Sequence, residues 1–303
     1  MSENTCRYLV LEHRRVLALT GEDRVSFLQG LVSNDVTKAS TERALWTAFL
    51  SPQGKYLHDF FLIDSGERLL FAPEAERAEE LVKRLTLFKL RSKVAIERPE
   101  MVLVALYGEG VAALLDLPET PGAARPWGGG LAFMDPRLAD MGGLAFLPLE
   151  NLEETLAGAG FSPGAQQDYD ARRVALGLPD GSRDLEVDKT LLLEAGFDEL
   201  KGIDWKKGCY MGQELTARTK YRGLVKRRLL PVTYEGGAPE EGAAITQSDK
   251  EVGRVRSVAG GRALAELRLS ALEKLEEAPI TAGEVPLAPA LPGWLHLPKT
   301  EKA

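Results

Sequence analysis

The chain has 303 residues, 44% of them hydrophobic and 27% charged, and its formal net charge is −7. This make-up reads as a soluble globular protein, too long for one ordinary core, so two or three packed units are expected. The acidic balance argues against wholesale nucleic-acid or membrane binding, and no apolar run approaches the roughly 18–20 residues that span a bilayer.

The opening stretch, MSENTCRYLVLEHRRVL, carries no long apolar segment with a cleavage site and no Arg/Ser-rich, acid-poor pattern. No secretory or transit segment is therefore expected. The two cysteines, Cys6 and Cys209, cannot build a disulfide framework, and this usage fits a reducing cytoplasm. His13, His58 and His296 stand far apart, and no C-x-x-C or H-E-x-x-H pair occurs. No zinc or iron site of the chain's own is expected, so any metal chemistry would involve it as a helper.

In chain order, residues 16–20 (VLALT) predict a strand, and Val25, Leu28, Leu31 and Val32 then fall on one helical face. Residues 44–50 and 56–63 read as two strands joined by the turn Ser51-Pro52-Gln53-Gly54. A strand at 69–72 precedes an amphipathic helix over 73–88, with Ala78, Leu81, Val82 and Leu85 inward. Strands follow at 94–97 and 101–107, then a short helix at 111–117 and strands at 131–134 and 144–147. Residues 118–130, rich in Pro and Gly, read as an exposed connection, and helices are expected at 150–159 and 166–176. From Val225 the texture changes to alternating strands between Gly-rich turns, as in a small barrel or sandwich. The expected fold is α+β, with a body in two subdomains over 1–222 and a C-terminal β-barrel over 223–303.

Several stretches carry candidate chemistry. Gly108-Glu109-Gly110 superficially fits a dinucleotide fingerprint, but the acid about 20 residues later is missing, which favours a tight strand-to-helix turn. His58-Asp59 reads as an acid/base pair or as a packed histidine beside a capping aspartate. Tyr169 and Arg173, one helical turn apart, could stack against and hold a heteroaromatic acid, or simply pack. Residues 201–228 hold nine basic residues against Asp204 and Glu214, a local balance of +7 suited to an anionic ligand or to a solvated basic face. Inside that run lies Cys209, directly after Lys206 and Lys207 and between Gly208 and Gly212, ahead of a helix over 211–221. Such a cationic frame lowers a thiol's pKa below the free value of roughly 8.5, although a lone cysteine is as readily inert. Cys6, near a terminus expected to fray, has no such frame.

These residues resemble a known family. Lys207-Gly208-Cys209-Tyr210-Met211-Gly212-Gln213-Glu214 matches the K-G-C-[FY]-x-G-Q-E signature of the YgfZ family of folate-binding proteins, relatives of the glycine cleavage T-protein and of the mitochondrial iron–sulfur assembly factor of the same superfamily. In the same order run G-x-D-x-x-x-F-L-Q-G-x-x-x-N-D-V over 21–36, Pro52-Gln53-Gly54-Lys55, residues 173–179, and R-x-K-Y-R-G ending at Gly223.

The resemblance implies a T-protein-like three-part ring with a central site for tetrahydrofolate or a polyglutamylated derivative, closed by the C-terminal barrel. It implies an accessory role in iron–sulfur cluster assembly or repair, supporting enzymes that include tRNA-modifying ones, without independent turnover. If the chain is an enzyme, the implied activity is a folate-dependent one-carbon transfer. Cys209 and Lys207 are the implied functional pair, within a motif completed by Gly208, Tyr210, Gly212, Gln213 and Glu214. Tyr169 and Arg173 are the implied folate residues, and Arg14 or Arg15 stands where a second aromatic wall would be. The partners implied are folate and iron–sulfur client or scaffold proteins, for a monomer with no membrane and no direct nucleic-acid contact. The alternatives are a glycine-cleavage aminomethyltransferase, disfavoured because His58-Asp59 replaces that enzyme's Asp-Asp pair, and an RNA-binding module using the basic run.

Overall fold

The computed structural model describes residues 6–297. These divide into two compact units. The first comprises residues 6–50, 57–165 and 201–211; the second comprises 51–56, 166–200 and 212–297. The chain thus crosses between units several times.

The first unit is built on two sheets. In the five-stranded sheet the order is Ala44–Leu50, Tyr56–Asp64, Leu69–Ala72, Leu17–Thr20, Ala95–Glu97. The three strands from Ala44 to Ala72 are buried along nearly their whole length. Continuous apolar runs such as LLFA suit a sheet covered on both faces. The second sheet runs Ser162–Pro163, Arg7–Val10, Met101–Tyr107, Gly143–Pro148, Gly130–Met134, Ala124–Trp127. It packs Val104, Leu106 and Ala145 against Leu115 and Leu156 of the short helices Val111–Leu115 and Leu152–Gly158.

Three sequence expectations change here, and the tight turn read at 108–110 is found. Arg7–Val10 is a paired strand, and Cys6 belongs to the core of its sheet at 1% exposure, so Cys6 does not lie in a frayed segment. Residues 118–130 are not all connection. Ala124–Trp127 pairs with Gly130–Met134 across Gly128-Gly129, both at positive φ, the two-residue hairpin turn that glycine makes possible. Residues 73–77 are not helical: Arg15 N–H donates to Pro73 O and Ala75 N–H to His13 O, the chain then turns over 75–77, and the helix is Ala78–Lys89. Gly108-Glu109-Gly110 is a tight turn whose Gly110, at φ 87, caps Val111–Leu115.

The second unit contains helices Gln166–Leu176 and Gln213–Tyr221 and a closed six-stranded barrel. The barrel order is Arg227–Tyr234, Arg262–Arg268, Lys250–Ala259, Ala244–Gln247, Ile280–Ala282, Val285–Pro289, the last strand pairing back on the first. Closure leaves no open edge, and Leu230, Val232, Ile245, Val255 and Leu267 fill the interior. The helix expected from residue 211 begins at Gln213, because Gly212 takes φ 81 as its N-cap. Gly54 approaches that cap closely: a Cβ there would lie 2.7 Å from Gly212 O. The turn Pro52-Gln53-Gly54-Lys55 therefore needs a glycine at its third position.

Candidate functional site

The loop carrying the K-G-C motif is sewn onto residues 29–34, the heart of the other long motif. Ser33 Oγ donates to Gly202 O at 2.7 Å, and Asn34 Nδ2 donates to Lys201 O at 2.7 Å. Asp204 N–H reaches Ser33 O at 3.1 Å, and Met211 N–H reaches Gly30 O at 3.1 Å. Asp204 turns the chain by accepting from the backbone N–H of Lys206 and Lys207 at 2.7 and 3.2 Å, and it also takes Lys38 Nζ. Burial pushes the Asp204 carboxyl up, but these donors outweigh it and hold it below the usual carboxylate range.

Lys207 is the central fastener. Its ammonium lies buried and donates to Gln29 O, Val32 O and Asn34 O at 2.7, 2.6 and 2.8 Å, matching its three protons to three carbonyls. Its Nζ also lies 5.1 Å from the centre of the Tyr210 ring. Burial lowers its pKa to about 8 against the opposing charges of Asp35 and Asp204.

Two residues on, Cys209 is exposed, as is Gly208, where an added Cβ would meet nothing within 4 Å. The implied pair therefore separates: Lys207 turns inward as an anchor and Cys209 faces out. Cys6 is the opposite case. Its buried Sγ donates to Glu109 O at 2.9 Å, and burial pushes its thiol pKa up. Of the rest of the motif, Tyr210 is buried beside Lys207, Gly212 caps the helix, and Gln213 and exposed Glu214 open it, the acid favourably placed in the first turn.

In the second unit Tyr169 and Arg173 are both buried on helix Gln166–Leu176. The wholly enclosed Arg173 guanidinium donates to Asp170 at 3.2 Å, Asp184 at 2.6 Å, Leu178 O at 2.8 Å and Ser257 Oγ at 3.0 Å. Ser257 Oγ donates in turn to Asp184 at 2.6 Å, and Arg183 donates to Asp170 and Asp180. Burial pushes the Asp170 carboxyl up, yet Arg183 and Arg173 together hold it below the ordinary range. Arg173 thus ties its helix to barrel strand Lys250–Ala259 and turns all three guanidinium nitrogens to the protein's own acceptors.

His58 and Asp59 do not form an acid/base pair, because consecutive strand residues face opposite sides. Asp59 accepts from Arg14 Nη2 at 3.2 Å and Trp46 Nε1 at 3.0 Å. His58 is sealed in, and burial first, then Arg77, pushes its pKa down to about 3, leaving it neutral. Arg14, at the expected aromatic wall, is buried with its guanidinium 5.8 Å from the Phe61 ring centre.

Four cations of the +7 run are engaged in three dimensions, while Lys201, Lys206, Arg218, Arg222 and Lys226 stay exposed. Lys220 pairs with Asp198, Arg227 with Glu266 and Arg228 with Glu199, and Lys207 is buried. Counting along 201–228 missed those acids because they lie outside the window. Gln29, Ser33 and Asn34 were the site residues missed as such; their only signal was the run Q-G-x-x-x-N-D-V, with nothing to say what it binds.

Residues 226–297 match the CAF17 C-terminal beta-barrel domain. The whole chain superposes on the glycine cleavage system aminomethyltransferase T of Bartonella henselae with a TM-score of 0.75 and 16% identity, covering 97% of this chain and 87% of that one. This is a T-protein fold ending in a closed barrel. The mitochondrial iron–sulfur cluster assembly factor IBA57 of Homo sapiens is 32% identical over 94% of this chain and 84% of its own length. The IBA57 homolog of Neurospora crassa is 33% identical over 76% of this chain, which spans about half of that relative, 54%. The chain belongs to the IBA57 family of iron–sulfur cluster assembly factors. The cytoplasmic placement expected from cysteine usage is corrected by these relatives, which are mitochondrial by name. Two scattered thiols report a reducing environment, not a compartment.

Proposed function

We propose that this chain is an accessory protein of iron–sulfur cluster assembly that presents Cys209 to a client protein, a scaffold or the cluster they carry. The observation that carries the reading is the contrast between an exposed thiol and the buried three-carbonyl anchor of Lys207 two residues away. A thiol meant for another molecule must be reachable and held in place, and the open space at Gly208 keeps its approach clear. Family membership supports the iron–sulfur role, and the K-G-C-[FY]-x-G-Q-E signature extends it to the YgfZ branch and to tRNA-modifying clients.

The test has two arms. Brief alkylation of the native protein with peptide mapping is expected to label Cys209 and spare Cys6. In cells lacking the endogenous copy, Cys209→Ser is expected to fail to restore a tRNA-modifying iron–sulfur enzyme, while Cys6→Ser restores it. Full restoration by Cys209→Ser, or equal labelling of the two thiols, refutes the reading.

Tetrahydrofolate is the finer part of the proposal, supported by the T-protein fold. Arg173 does not fit as a folate contact, since its donors are committed within the protein; Tyr169 is the remaining expected wall. When bound, a reduced folate would supply a pterin able to carry one-carbon units. Calorimetry with tetrahydrofolate is expected to show binding weakened by Tyr169→Ala, and no heat at millimolar ligand removes folate from the proposal. Aminomethyl transfer is not proposed, because His58 is sealed and neutral and Asp59 is engaged by Arg14 and Trp46.

A further inference from the structure

The end of helix Ala78–Lys89 breaks the usual partition of polar and apolar side chains. Ala78, Leu81 and Leu85 form its inward stripe, yet Leu87 and Leu90 lie 76% and 89% exposed, with Phe88 half out beside them. Single exposed apolar residues are ordinary; three large ones within four positions are not. Leu90 also sits at φ 43, where non-glycine residues seldom go, so the backbone turns there against its preference. Phe88 is steadied from below by the Phe49 ring, edge-on at 6.3 Å between centroids.

Phe88 and Leu90 form one lip of a recess of about 800 Å³ whose other walls are Asp23, Ser26, Arg91 and Ser92. Charge adds direction. Residues 83–93 hold five basic residues, Lys83, Arg84, Lys89, Arg91 and Lys93, and no acidic one, in a chain whose net charge is −7. Arg84 is taken by Glu80 and Lys93 by Glu22, whereas Lys83, Lys89 and Arg91 stand exposed around the leucines. Cations in a helix's last turn suit its dipole, which accounts for Lys89 but not for the leucines.

We infer that this face docks an acidic amphipathic segment of a partner protein, one large apolar side chain entering the recess and its carboxylates meeting Lys83, Lys89 and Arg91. Helix-in-groove recognition uses this combination of apolar anchor and complementary rim. A second copy of the chain would bring one cationic rim against another. An anionic bilayer is flat and would leave the recess empty. The inference does not depend on Cys209 or on folate.

The probe is a labelled helical peptide with leucines at i, i+3, i+4 and i+7 and glutamates elsewhere, titrated by fluorescence anisotropy. It is expected to bind wild type at least tenfold more tightly than versions with lysine for glutamate or serine for leucine, and more weakly as salt rises. Leu87→Ser/Leu90→Ser and, separately, Lys89→Glu/Arg91→Glu are each expected to lose at least tenfold. Their circular dichroism and melting should match wild type, because these side chains face water. Equal binding of the three peptides, or unchanged binding by both variants, overturns the inference. So does a dimer in solution that Leu87→Ser/Leu90→Ser dissolves, or sedimentation with phosphatidylglycerol vesicles that the same variant abolishes.

Discussion

Replacing Lys207 by Met tests whether the thiol loop is held by its anchor. The substitution keeps the aliphatic length and removes three donors from Gln29 O, Val32 O and Asn34 O. A buried carbonyl left unpaired costs about 1–3 kcal/mol. Against that stands relief from burying an ammonium, whose strain shows in a pKa lowered to about 8. Weighing the two, a net loss of roughly 2–4 kcal/mol is expected, concentrated locally. Hydrogen exchange should therefore quicken in 201–211 and 29–34, while the barrel strands stay protected. Lys207→Arg should not rescue, because a planar guanidinium cannot point one nitrogen at three carbonyls. Unchanged exchange in both segments, with unchanged denaturation, would refute the anchor.

Other consequences follow from the buried charges. His58, with its folded pKa lowered to about 3, binds fewer protons than its unfolded form between that value and about 6.5. Stability should therefore fall as pH drops through that window, by up to about 1.4 kcal/mol per pH unit, and His58→Phe should flatten that part of a pH–denaturation curve. Arg173→Met leaves Asp170 and Asp184 without their enclosed cation, so a loss of about 3–5 kcal/mol is expected by urea denaturation, and an unaltered midpoint would contradict the network.

Much of the fold was legible because the signals were local. The alternating barrel strands and the buried runs at 44–50 and 56–63 announce themselves by period and composition, and the K-G-C octapeptide singled out its own loop. What escaped was set by contacts across the chain. Residues 73–77 carry helix-compatible side chains, yet two backbone bonds to His13 and Arg15 keep them out of the helix. Ala124–Trp127 hid behind its proline and the two following glycines, which read as a loop until the hairpin is seen. The site split the same way. Cys209 could be named from its neighbours, but that Lys207 turns away from it depends on residues some 175 positions earlier.

The two basic runs show why charge counted along a sequence does not decide function. In 201–228 four of the nine cations are structural, one buried on carbonyls and three reaching acids elsewhere in the fold, while five stay exposed. A polyglutamylated ligand would meet the five exposed cations of that run and not all nine. In 83–93 the count is smaller, and three cations face water around Leu87 and Leu90, which the fold leaves exposed. Unspent charge beside unspent apolar surface is what a partner can recognise, because both terms improve on contact while neither stabilises the isolated chain. The exposed thiol of Cys209 obeys the same rule. It lies exposed, on a loop that Lys207 and Asp204 hold in place.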